Sequence, residues 1–75
     1  MEDSKKDYVH NLPVYFDNNS EAGKKYLRDD LDSNEAKVFF EAARRTSSGA
    51  DFEDKFGKNF TLKYNGDGTY IVIKR

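Results

Sequence analysis

His10 is the only histidine in the chain, and there is no cysteine. The side chains that most often carry proton transfer and nucleophilic attack near neutral pH are thus reduced to one imidazole. Tyr8 and Leu12 flank it on an alternating apolar stretch, and no motif sets a serine beside it. A structural or surface histidine is expected, no catalytic residue is assigned, and the chain is read as non-enzymatic.

Metal and phosphate chemistry find equally little. Asn65-Gly66-Asp67-Gly68 begins like a calcium loop, but Ile71 to Lys74 supplies no acid to close one, so a tight turn is expected. Asp29-Asp30-Leu31-Asp32 is an acid cluster whose contiguous members point in different directions at a helix end, which suits a solvated surface. The glycines Gly23, Gly49, Gly57, Gly66 and Gly68 form no phosphate-cradling loop. No metal and no cofactor is expected.

What remains is surface recognition. Residues 55 to 75 carry Lys55, Lys58, Lys63, Lys74 and Arg75 against Asp67 alone, although the whole chain has a net charge of −1. Lys63 and Tyr70 are expected side by side on one sheet face, a cation next to a ring able to stack on a base. Nucleic acid is therefore one candidate partner, opposed by Asp51, Glu53 and Asp54 and by the small basic surplus. A protein partner is favoured, with Lys63, Tyr70, Val72, Lys74 and Arg75 as the expected contact residues, because tyrosine joins a broad apolar surface to a hydroxyl. Arg44-Arg45 would suit an anion, but they also fall where basic side chains cap a helix C-terminus, and that structural role is preferred.

The clearest element to position these residues is a hairpin over Asn59–Arg75. Phe60, Leu62 and Tyr64 alternate with polar neighbours, Asn65 to Gly68 interrupts, and Thr69 to Ile73 resumes a β-rich run. The expected register sets Tyr64 opposite Thr69, Leu62 opposite Ile71 and Phe60 opposite Ile73. The core face would then hold Phe60, Leu62, Ile71 and Ile73, with Thr61, Lys63, Tyr70 and Val72 on the other.

Upstream, Tyr8 to Phe16 alternates as a strand, and Pro13, lacking an N–H, either confines it to a sheet edge or divides it into two short pieces; an edge strand is expected. Asp17 to Ser20 starts a first helix with Ala22, Tyr26, Leu27 and Leu31 on its apolar side, weakened by Gly23. Asp32 and Glu35 have capping-box spacing, and Ala36, Phe39, Phe40 and Ala43 follow the helical period up to Arg44-Arg45, with Val38 and Ala42 added to the apolar side. Phe52 and Phe56, four apart before Gly57, predict one or two helical turns.

Together these predict a single small α+β domain over residues 1–75, the first seven frayed. Its three-stranded antiparallel sheet has two helices packed on one face, in the order strand, helix, helix, short turn, strand, strand. A winged-helix arrangement is the alternative. At 75 residues the core is small, and six Phe and five Tyr must supply much of it. No apolar run reaches the roughly 18 residues of a membrane span, and no signal-peptide core follows Met1. A cytoplasmic regulator, inhibitor or accessory factor is expected, monomeric or weakly homodimeric and without a membrane partner.

Overall fold

The computed structural model describes residues 5–75. The expected fraying of the first seven residues meets the structure only from Lys5 onward, where the chain is already a strand; residues 1–4 lie outside the described residues.

Strands β1 (Lys5–Val9) and β2 (Leu12–Phe16) form a hairpin closed by His10 and Asn11, both with positive φ (52° and 71°). Two such residues give the turn whose twist matches that of paired strands. The apolar run expected to be one strand is thus two. Pro13 does not lie on an edge strand either, because β2 is flanked by β1 and by β5 (Tyr70–Lys74). Its missing N–H is tolerated since the pairing with β5 covers only Val14 and Tyr15.

After β2, Asp17 and Ser20 tie a compact turn: Asp17 Oδ1 accepts from the Asn19 and Ser20 N–H groups at 2.9 Å, and Ser20 Oγ accepts from the Asp17 N–H at 2.9 Å. Helix α1 (Glu21–Lys25) follows and widens into a π-helical turn, Tyr26–Asp30, closed by the Leu31 N–H on the Tyr26 carbonyl at 3.2 Å. Helix α2 (Ser33–Arg45) starts on the expected capping box, with Asp32 Oδ1 accepting from the Glu35 N–H at 2.8 Å and Glu35 Oε1 from the Asp32 N–H at 3.0 Å. Ala36, Phe40 and Ala43 are buried as expected and Phe39 is half-buried, whereas Val38 faces solvent.

The predicted three-stranded antiparallel sheet is corrected to a five-stranded mixed sheet in the order β1-β2-β5-β4-β3, which also excludes the winged-helix alternative. Only β2 and β5 run parallel. Two causes account for the extra strands. The His10-Asn11 turn divides one predicted strand, and the predicted helical turn at Asp51–Phe56 is instead strand β3 (Ala50–Glu53), paired antiparallel with β4 (Asn59–Tyr64). Phe52 and Phe56 share a helical spacing but not an environment, Phe52 being buried and Phe56 the most exposed large apolar residue described.

The β4–β5 hairpin forms one residue out of the predicted register. Its loop runs Asn65–Thr69, and Tyr64 pairs with Tyr70, Leu62 with Val72 and Phe60 with Lys74. Since a one-residue slip turns every side chain to the other face, Tyr70 and Val72 enter the core while Ile71 and Ile73 leave it.

Helices α1 and α2 lie on the same face of the sheet, α1 against β2 and β5, α2 against β3 and β4. Between the layers, Phe60 stacks on Phe52 (ring centroids 5.6 Å) and Phe52 on Tyr26 (6.1 Å). Gly23 lets α1 approach this stack: a Cβ there would stand 2.7 Å from the Phe60 ring.

Candidate functional site

The opposite face of the sheet carries no helix among the described residues. Register fixes what it displays. Lys6 pairs with Tyr15, Tyr15 with Ile71 and Ile71 with Lys63, giving one row across four strands. The next row holds Ile73, Thr61 and Asp51, and Tyr8 with Pro13 flank the first row on the other side. Tyr8 is 58% exposed and Ile73 41%, while Tyr15 and Ile71 are half-buried between them.

Charge is distributed unevenly over this face. The Lys6 ammonium lies 5.6 Å from the Tyr8 ring centroid and 6.0 Å from that of Tyr15, cation–π distances on the β1 side. On the β3 side Asp51 accepts from the Thr61 hydroxyl at 2.7 Å and pairs with Arg75 at 3.2 Å. The face therefore offers an aromatic and aliphatic centre, a cation-flanked edge and an edge whose acid is already paired. Such a surface can bind by apolar contact and stacking; among the described residues it holds no convergent acid, base and nucleophile.

Of the five contact residues predicted from sequence, Lys63 and Arg75 lie on this face. Tyr70 and Val72 do not: they are 3% and 2% exposed and belong to the core, because the hairpin register is shifted. Lys74 points to the helix side, its ammonium 5.8 Å from the Phe60 ring. Tyr8 and Tyr15 were not among the expected contact residues, and Ile71 and Ile73, expected in the core, lie on this face instead. The signal that would have found them is the odd-numbered loop Asn65–Thr69, which sets the parity of β5, together with a turn at His10-Asn11.

His10 has a structural partner set. Its Nε2 lies 3.0 Å from the Leu27 carbonyl and 3.1 Å from the Leu31 carbonyl, so this nitrogen must carry a proton, and it donates to the end of the π-helical turn. The suspected calcium loop is likewise occupied by itself. Asp67 Oδ1 accepts from the Thr69 hydroxyl at 2.6 Å and the Thr69 N–H at 3.1 Å, and these bonds hold the carboxyl below its ordinary pKa. Among the described residues no three His, Cys, Asp or Glu side chains gather as a metal site.

Two concavities lie away from the open face. One, of about 210 Å³, is bounded by α1, the π-helical turn and the β3–β4 loop. There Asp54 is buried, and its Oδ1 accepts from the Phe56 and Lys58 N–H groups at 2.9 Å while Oδ2 has no partner. Lys55, 3.5 Å from Asp30 and over the Phe56 ring at 5.5 Å, already fills the acidic rim. The other, of about 340 Å³, runs between α2 and the starts of β2 and β5.

Compared with known proteins, the chain matches no family model, no curated protein and no solved structure. Among the described residues no helix is long and apolar enough to cross a membrane.

Proposed function

We propose that this chain is a non-enzymatic binding module that engages a protein partner through the open face of its sheet, as a regulator, inhibitor or accessory factor in the cytoplasm. One observation carries the reading: Tyr8, Tyr15, Ile71 and Ile73 form a contiguous aromatic and aliphatic centre on the one sheet face that the helices leave uncovered. Tyrosine is enriched where binding energy concentrates, and a charged rim is the usual surround of such a centre. The lack of cysteine suits a reducing compartment.

A second reading, single-stranded nucleic acid, is favoured by Lys6 beside two tyrosine rings and Lys63 in the same row. The net charge of −1 works against it.

Affinity capture from the native host lysate, with and without nuclease, separates the two. A protein retained after nuclease and lost with Tyr8→Ser/Ile73→Ser supports the first reading. Loss of all capture on nuclease treatment supports the second. A variant that captures the same protein as the native chain overturns the assignment of this face. Both substitutions are at exposed positions, so the melting temperature of the variant should stay close to that of the native chain.

A further inference from the structure

The larger concavity lies on the helix side of the sheet and is independent of the open face. We infer that it is a binding site for a small organic anion, a carboxylate or phosphate monoester on a compact apolar body. Leu12 and Phe40 supply apolar lining, and Lys37, Glu41 and Arg44 line it from successive turns of α2. Its volume of about 340 Å³ is at the lower end of the range that holds small ligands.

The positive charge in this groove is only partly neutralised from within. Among the described residues Arg44 forms no ion pair, and its guanidinium lies 5.2 Å from the Tyr64 ring centroid, which orients it without consuming its charge. Lys37 has only a stretched contact with Glu41, 3.9 Å, between two exposed side chains. Two cations thus face one carboxylate, and a planar guanidinium is well matched to a carboxylate or phosphate held by paired hydrogen bonds.

A phenol completes the set. Tyr70 is almost wholly buried, its ring fixed edge-on against Phe40 at 4.7 Å and tilted on Tyr64 at 5.1 Å. Burial pushes its hydroxyl above the ordinary pKa, while the positive charge of Arg44 pulls the other way. The hydroxyl therefore stays protonated at neutral pH and is available to donate to the same anion. A neutral ligand would use the apolar floor and leave Arg44 unpaired; a cation would be repelled by Arg44 and Lys37.

Titration of the full chain with phenyl phosphate, benzoate and benzyl alcohol, followed by amide and side-chain NMR shifts, tests this. Saturable shifts at Leu12, Arg44 and Tyr70 are expected with one or both anions, at dissociation constants of about 1 mM or below, and none with benzyl alcohol. Which anion binds tells a phosphate from a carboxylate ligand. Arg44→Gln should weaken the anion at least about tenfold, whereas Arg45→Gln, which changes the same charge outside the groove, should leave it unaltered. If Arg44→Gln impairs folding, Lys37→Gln, at a 71% exposed side chain, carries the same test with a smaller expected loss. Absence of saturation by either anion at about 10 mM, equal binding of benzyl alcohol, or equal weakening by Arg45→Gln would overturn the site.

Discussion

Gly23 sits inside a helix, where alanine would be favoured by about 1 kcal/mol on backbone grounds alone. Yet its missing Cβ is what brings α1 onto Phe60, and a methyl group 2.7 Å from that fully buried ring forces one of them to move. Overpacking of this kind costs roughly 1–3 kcal/mol against that gain of about 1 kcal/mol, so Gly23→Ala should lower stability by up to about 2 kcal/mol net in urea unfolding. A stabilised variant would show that the contact relaxes freely. Asp7 makes a second residue-scale test. Its Oδ2 accepts from Lys24 at 3.0 Å and also from Arg28, joining β1 to the first helical segment, and Lys24 is buried over the Phe16 ring. The Lys24 hydrogen bond is the main cause that holds the Asp7 pKa below its ordinary value of 3.8. Because the folded value is the lower one, the contribution is complete above the unfolded pKa and is lost as pH falls through the folded value. Acid titration of stability should therefore show a smaller loss below about pH 4 for Asp7→Asn than for the native chain. At pH 7 that variant should be less stable by about 1–2 kcal/mol, since Lys24 keeps its burial without its partner while the partial exposure of Asp7 limits the loss.

Elements differ in how much of their definition is local, and that decided what could be read from sequence. Helix α2 was legible because its start is a hydrogen-bonded exchange between Asp32 and Glu35 and its buried side is a simple period of Ala36, Phe40 and Ala43. The β4 strand and the existence of its hairpin were legible for the same reason. The face of β5 was not, since it depends on whether Thr69 belongs to the loop, and this single residue exchanged Tyr70 and Val72 for Ile71 and Ile73. The candidate site suffered most from that exchange: only Lys63 and Arg75 of its five expected members reached the open face. The turn at His10-Asn11 carries no glycine, and its one turn-forming residue, Asn11, is a weak signal inside an apolar run. Strand β3 was hidden by two phenylalanines at helical spacing, of which only Phe52 is held by ring contacts with Tyr26, Phe39 and Phe60. The register yields a sharp contrast: Val72→Lys should abolish cooperative thermal unfolding, while Ile73→Lys should shift the melting midpoint by only a few degrees. Equal damage from both would contradict the pairing of Leu62 with Val72. Likewise Phe52→Ala should cost about 3–5 kcal/mol and Phe56→Ala under about 0.5 kcal/mol, measured by denaturant titration.

At the scale of the whole molecule, the sheet is two locally paired units, β1–β2 and β3–β4, joined by the strand that comes last in sequence. β5 supplies Tyr70 and Val72 to the core and closes a parallel contact to β2 across most of the chain. Removing residues 67–75 should therefore leave a chain without cooperative unfolding, not a smaller folded sheet, as judged by circular dichroism on heating. A folded four-stranded remnant would contradict this. The same strand order has a consequence between molecules. β2 and β4 meet only through β5, and the gap it fills matches another copy's residues 70–74 as well as the chain's own, so exchange of this one strand is the route by which two copies would complete each other's sheets.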